Sequence, residues 1–328
     1  MKILHLPIEI AGQMGSLCGA LKSYGHEAIG LNYYHTALNY KENIIPADGM
    51  EIVNIMGEAL RHFDIFHYHH LLTAMTDYRD LEMVAAAGKH AIMHHWGSDV
   101  RTAKAQLLNP YLSVGFVPEQ ETHEKLMTVS KYISTAIVQD YEVLPFVSDY
   151  YRQVHILPVA IDTSKFIPVF PNPLQSNPLV IHAPSNPKVK GTDVIERTIE
   201  MLQREIPFRY QRVDKTSHEQ AKQLYRQADI IVDQIITGSY GLLCVESMAF
   251  GKPVIAYVRD DLMSRYPTQP PICNASPDTF YDVLKSLLLS PETRFQKGVE
   301  SRKFTEDYHD SMKVGGRLLE IYGQLTSG

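Results

Sequence analysis

The residues with the most chemical content lie in the stretch 228–258, ADIIVDQIITGSYGLLCVESMAFGKPVIAYV. It reads as a buried strand, a glycine-containing loop, a helix, a turn and a second strand. The loop Thr237-Gly238-Ser239-Tyr240-Gly241 enters a helix that begins near Leu242. Free backbone N–H groups at such a junction, together with the helix dipole, suit a phosphate or diphosphate. Glu246 falls about one turn into the helix, where a carboxylate can accept hydrogen bonds from vicinal ribose hydroxyls. Taken alone, the pattern fits a tight turn with a solvated glutamate equally well.

Histidines form a second group, with His67, His69 and His70 in FDIFHYHHL and His94 and His95 in AIMHHWGSDVR. Strand alternation sends His67 and His69 to one face. No Asp, Glu or Cys stands at ligand spacing, so no metal is expected, although a histidine-metal hydrolase stays open as a rival. A further loop, Gly12-Gln13-Met14-Gly15-Ser16, follows the first apolar run and opens a helix ending near Gly25-His26. It lacks the full G-x-G-x-x-G spacing, and no acidic residue closes the second strand, which weighs against a dinucleotide fingerprint.

These groups must be positioned by something, and the pattern of the chain supplies it. Short apolar runs alternate with helical periodicity, as in parallel sheets covered by helices. Strands are expected at 2–6, 27–31, 65–69, 90–94, 136–138 and 154–157, then at 179–182, 208–213, 230–233 and 253–257. Between the two sets, IPVFPNPLQSNP carries four prolines and no periodicity, so residues 166–178 read as a linker. The expectation is an α/β chain with an N-terminal domain over 1–165 and a C-terminal domain over 179–304. A helix over about 305–328, broken near Gly315-Gly316, packs back on the first domain. Ligands of open parallel sheets bind beyond the carboxyl ends of the strands, which points to a cleft between the domains.

Composition narrows the class. The 328 residues suit two domains, and 45% hydrophobic residues can bury a substantial core. A formal charge of −6 argues against a nucleic-acid binder and mildly against tight anionic-membrane contact, leaving peripheral contact open. Three scattered cysteines, Cys18, Cys244 and Cys273, fit neither a disulfide framework nor a CxxC site, so a cytoplasmic setting is expected. The opening MKILHLPIEIAGQMGSL reads as a strand and loop rather than a signal peptide, and no stretch is long enough to span a bilayer.

The segment around Glu246 resembles the signature of retaining GT-B glycosyltransferases of the glycogen-synthase-like (group 1, family 4) superfamily. That pattern has a glutamate, a Gly-aromatic-Gly turn, a second glutamate eight residues after the first, and Ala-x-Gly-x-Pro-Val. Ser239-Tyr240-Gly241, Glu246, Ala249, Gly251, Lys252, Pro253 and Val254 fit it, while Gly238 stands where the first glutamate belongs. IHAPSNPKVKGTD, residues 181–193, resembles the strand and loop that grip the donor diphosphate; Lys190-Gly191 matches, and the usual arginine is absent. Lys188 is a candidate substitute, without the planar fork of an arginine. ILPVAIDTSKF, residues 156–166, resembles the segment leading into the linker, with Val159-Ala160 in place of Asn-Gly. Residues 213–216 stand where a loop meets the base, and Thr216-x-x-Glu219 reads as a capping box.

The resemblance implies a GT-B architecture, two Rossmann-like parallel-sheet domains facing across a cleft. It implies transfer of a sugar from a nucleotide diphosphate sugar, UDP-type by expectation, to a saccharide, lipid-linked or other hydroxyl acceptor. Retention of configuration and independence of metal are expected, with no cofactor beyond the substrate. It also assigns roles. Gly15, Lys188, Lys190, Gly238, Ser239, Tyr240, Gly241, Leu242 and Glu246 would hold the donor. His95, with His94 close behind, would face the transferred sugar, and Lys190 would steady the leaving diphosphate. Asp99 and Arg101 would orient the acceptor or pair with each other. The rivals are a nucleotide-sugar-binding protein without activity, the histidine-metal hydrolase, and an epimerase on the same scaffold.

Overall fold

The computed structural model describes residues 1–34, 41–214 and 216–327; Lys215, in the loop expected to meet the base, lies outside them. The chain forms two compact units. Met1–Lys104, Gly115–Ile161 and Ser311–Gly328 make the first, and Ala105–Val114 with Asp162–Asp310 make the second. The first boundary lies a few residues before the expected linker, and the short segment Ala105–Val114 joins the second unit, which nothing in the sequence suggested.

The first unit holds strands β1 (Lys2–Leu6), β2 (Glu27–Asn32), β3 (Ile44–Pro46), β4 (Ile65–His69), β5 (His90–His95), β6 (Thr135–Val138) and β7 (Gln153–Ile156). They form one sheet in the order β3-β2-β1-β4-β5-β6-β7, and every pairing is parallel. Its helices are α1 (Gln13–Ser23), α2 (Gly49–His62), α3 (Arg79–Ala86) and α5 (Glu119–Val129), while α4 (Ala105–Leu108) belongs to the second unit. Helix α2 starts at a capping box in which Asp48 Oδ1 accepts from the Glu51 amide and Glu51 Oε2 from the Asp48 amide, each at 2.8 Å. It buries Ile52, Met56 and Ala59, a single stripe at helical spacing.

The second unit holds β8 (Leu179–His182), β9 (Arg209–Arg212), β10 (Ile230–Val232), β11 (Val254–Ala256) and β12 (Cys273–Asn274) in the parallel order β12-β11-β10-β8-β9. Helices α6 (Pro187–Lys190), α7 (Thr192–Gln203), α8 (His218–Gln227), α9 (Leu242–Ala249), α10 (Asp260–Met263), α11 (Phe280–Leu289) and α12 (Pro291–Tyr308) connect and cover them. Its core joins Val180, Ile230, Val232 and Ile255 to Ile195, Ile199 and Leu202 of α7 and to Phe280, Leu284 and Leu287 of α11. The two parallel sheets are as expected. The very short edge strands β3 and β12 were not foreseen.

The last helix, α13 (Ser311–Ser327), lies in the first unit. There Val314, Leu318, Ile321 and Tyr322 pack with Met14, Leu17 and Leu21 of α1 over Ile3, Ile65, Ile92 and Ile137 of the sheet. The break expected at Gly315-Gly316 falls instead at His309-Asp310, between α12 and α13. Gly315 serves close packing: a Cβ there would stand 2.7 Å from the Ala20 Cβ. The capping box expected at Thr216 and Glu219 is displaced by one residue, to Ser217 and Gln220.

Candidate functional site

In the second unit the strand order reverses between β8 and β10, so the loops leaving their carboxyl ends part there. Lys190 follows β8, and Asp233 and Gln234 follow β10. The Lys190 ammonium lies 2.5 Å from Asp233 Oδ1 and donates to Gln234 Oε1 at 2.8 Å. Asp233 is fully buried and also accepts from Cys244 Sγ at 3.0 Å. Gln234 in turn donates through Nε2 to the carbonyl of Ser239. Gly241 completes the arrangement, since a Cβ there would come within 3.8 Å of Asp233 Oδ2 and 4.0 Å of Lys190 Nζ. The ammonium therefore lies beside the glycine loop at the start of α9. No side chain caps that helix start among the described residues.

Glu246 is buried on α9, and its Oε1 lies 2.6 Å from His218 Nε2 at the start of α8. Gly238 adopts φ +85°, and a Cβ on it would meet Arg259 Cγ at 2.8 Å and Asn109 Nδ2 at 2.9 Å. The space that a side chain would need is thus filled. Asn109 also donates to the carbonyls of Ile236 (2.8 Å) and Thr237 (3.0 Å), and Arg259 forms a two-pronged pair with Asp261. The Tyr240 hydroxyl is 3.1 Å from His309 Nε2. Leu242 opens α9, and Lys188 is exposed on α6.

In the first unit the order reverses between β1 and β4. The Gly12 loop does open α1, but its amides are already engaged. Glu9 is buried and accepts from the Gly15 amide at 3.1 Å and the Met14 amide at 3.4 Å. Burial raises its carboxyl to about 7 against the pull of the Gly15, Met14, Gly12 and Gln13 amides. A Cβ at Gly15 would clash with the Glu42 carbonyl at 2.4 Å. At Gly15, expected to help hold a donor, the chain thus meets the helix terminus with its own carboxyl group.

The histidines sort by strand face. His95 points to the same side as Met93, where Asp99 Oδ2 lies 2.7 Å from its Nδ1 and the Tyr151 hydroxyl 2.9 Å from its Nε2. Both ring nitrogens of His95, expected to face a transferred sugar, are thus engaged within the unit. Asp99 and Arg101, the residues expected on the acceptor side, also have partners within the unit. Burial opposes ionisation of Asp99, yet the adjacent His95 and the Trp96 amide hold its carboxyl below the usual range. Arg101 grips Glu142 at 2.8 and 2.6 Å rather than pairing with Asp99. His70 turns aside to Ser98 at 2.9 Å.

His94 points the other way, in register with His69, while His5 is in register with His67. These four buried rings gather at the carboxyl ends of β1, β4 and β5. Ligand atoms of His5, His67 and His69 come within 4.8 Å of one another. Their rings lie 12–27° from parallel, and in-plane lone pairs on near-parallel rings do not converge on a tetrahedral ion. His5, His218, Asp233, Gln234, Arg259 and Tyr322 escaped sequence reasoning. Of these only the Asp233-Gln234 pair, ending an apolar run, gave a local signal. Also in the first unit, a cavity of about 1220 Å³ opens beyond β4, lined by Tyr33, Met50, Leu72, Met75, Tyr78 and Met83 among others.

No protein-family model and no curated protein matches the chain. Solved structures do. HepE from Anabaena, in complex with UDP and glucose, superposes with a TM-score of 0.66 at 12% identity, covering 99% of this chain and 100% of that one. Sucrose-phosphate synthase from Thermosynechococcus elongatus gives 0.66 at 12% identity with both chains fully covered. WaaG, a glycosyltransferase involved in lipopolysaccharide biosynthesis, gives 0.62 at 12% identity, again over both whole chains. What this chain shares with them from end to end, two α/β units each built on a parallel sheet, is the GT-B fold.

Proposed function

We propose that the chain is a glycosyltransferase that takes a sugar from a nucleotide diphosphate sugar and passes it to a hydroxyl acceptor. The observation that carries this reading is the assembly at the β8/β10 switch point: Lys190 beside the uncapped start of α9, with Glu246 one turn further on. The helix terminus and the ammonium suit the diphosphate, and the glutamate suits the ribose. As the sugar–phosphate bond breaks, negative charge grows on the leaving diphosphate, and preorganised donors there lower the barrier. HepE is known in complexes with UDP and with UDP-glucose, which favours a UDP-type donor here. Retention of configuration, a cytoplasmic setting and metal independence belong to the same reading. Among the described residues no helix is long and apolar enough to cross a membrane. The cavity beyond β4, with its methionines and tyrosines, fits an acceptor that carries an apolar portion.

Gly238 favours a second reading, a nucleotide-sugar-binding protein without turnover, because the position that would read sugar hydroxyls has no room for a carboxylate. One measurement separates the two. Affinities of a panel of nucleotide sugars and their parent nucleoside diphosphates are compared, and each donor is followed for consumption with candidate acceptors. A transferase binds at least one nucleotide sugar more tightly than its parent and consumes it. If no sugar improves on the bare nucleotide and none is consumed, the binding-protein reading stands.

A further inference from the structure

The four buried histidines of the first unit are linked into one continuous chain of hydrogen bonds. Trp96 Nε1 lies 3.3 Å from His69 Nδ1, and His69 Nε2 lies 3.0 Å from His5 Nδ1. His5 Nε2 is 3.3 Å from the Tyr322 hydroxyl, which is 2.6 Å from His67 Nδ1. His67 Nε2 is 3.2 Å from His94 Nδ1. His94 Nε2 has no partner among the described residues, although the ring is 1% exposed. Desolvation holds all four imidazoles neutral, His5 at about 3 and the others well below the ordinary value, so each carries one ring proton.

Indole N–H can only donate, and that fixes the direction of the whole series. Trp96 donates to His69 Nδ1, so the His69 proton sits on Nε2 and is given to His5 Nδ1. The His5 proton then sits on Nε2 and goes to the Tyr322 oxygen, whose own proton goes to His67 Nδ1. His67 in turn donates from Nε2 to His94 Nδ1. The last proton is left on His94 Nε2, a buried donor with nothing to bond. An unpaired buried donor is costly, and an oxygen of a ligand would satisfy it.

We propose that Trp96, His69, His5, Tyr322 and His67 are positioning residues that lock His94 into the Nε2–H tautomer, so that it presents an uncharged hydrogen-bond donor to an oxygen of the bound ligand. On the transferase reading, from which this identification of the ligand follows, that oxygen is a hydroxyl of the transferred sugar. Tyr322 is supplied by α13, so the final helix sets the tautomer of a residue on β5.

Full-length protein with ¹⁵N-labelled histidine reports ring tautomers directly through two-bond proton–nitrogen spectra, and His94→Asn identifies the His94 signals. The expected result at pH 7 is a neutral His94 protonated at Nε2. In Trp96→Phe, and separately in Tyr322→Phe, that preference should decay to a mixture with Nδ1–H. Kinetics on a consumed donor should show kcat falling about 10-fold or more in either variant with little change in KM. An Nδ1–H His94 in the native protein overturns the proposal, as does a charged ring or stoichiometric zinc uptake by the cluster. So does a Trp96→Phe or Tyr322→Phe protein that folds and keeps the tautomer unchanged. The spectra of the native protein need neither substrate nor substitution, so a variant that fails to fold leaves them decisive. Loss of the transferase reading, seen as no donor consumed, is likewise separate from loss of the tautomer lock.

Discussion

Glu246 and His218 face each other across 2.6 Å, so on the proposed reading the carboxylate has a partner before any nucleotide arrives. Binding a ribose there means exchanging that contact for two hydroxyl donors. Glu246→Ala should cost ~1.5–3 kcal/mol of nucleoside diphosphate affinity, a roughly 10- to 150-fold loss by calorimetry at fixed salt. His218→Ala, which frees the carboxylate, should leave affinity equal or improved. A folded Glu246→Ala protein with native affinity would remove the ribose assignment. Gly238 poses a different test, because its φ of +85° and the nearby Arg259 Cγ both resist any side chain. Gly238→Ala should lower unfolding free energy by roughly 1–3 kcal/mol in urea titrations. Equal stability would mean that the loop and Arg259 shift freely. The departure at Gly238 was legible as a break in a motif. Its occupants were not, because Asn109 comes from the other half of the sequence and Arg259 from the far side of β11.

At the scale of elements, strand positions followed closely from apolar runs, and β1, β4 and β8 begin and end where the pattern placed them. The two strands that pattern missed, β3 and β12, are three and two residues long and are held by their neighbours rather than by their own composition. Which histidines meet depended on register, and register between β1, β4 and β5 is a pairing across 60 or more residues for His5 and His67. The resulting cluster makes a prediction about acid. A ring whose folded pKa is lowered takes up a proton only on unfolding, so stability falls as pH drops below about 6.5. Glu9 acts in the opposite sense. Its folded value, raised to about 7 from 4.5, favours the native state at low pH and loses that contribution as pH rises through 7. These four rings against that one carboxyl contribute an excess of up to three protons to the unfolded chain, and His26, His155 and His182, also lowered, act in the same sense. The cluster and Glu9 together should contribute a slope approaching ~4 kcal/mol per pH unit below pH 6.5. Urea denaturation at pH 7.5, 6.5 and 5.5 measures it, and a flat profile would mean that the rings are not buried neutral.

For the molecule as a whole, two parallel-sheet units were legible because alternating strands and helices leave few other architectures. The transfer of Ala105–Val114 to the second unit and of α13 to the first was set by packing partners remote in sequence. If the reaction is the one proposed, the positive potential at the diphosphate comes from Lys190 and the start of α9, and the sequence contains no Asp-x-Asp. Transfer activity should therefore survive a chelator. Activity abolished by chelation and restored by a divalent cation would assign that potential to a metal.

The position of α13 also has a consequence for how the chain is made. A nascent polypeptide leaves the ribosome from its N-terminus at roughly 5–20 residues per second. Strands β1 to β7 emerge first, yet the apolar face of α1 and the sheet beneath it are covered by Val314, Leu318, Ile321 and Tyr322. Everything from Asp162 to Asp310 must be synthesised before that cover exists, a delay of roughly 7–30 s at those rates. The second unit has its main core within Asp162–Asp310 and can close during that interval. The first half to be translated is thus the last to be finished, and during synthesis its exposed stripe is the natural target for a chaperone.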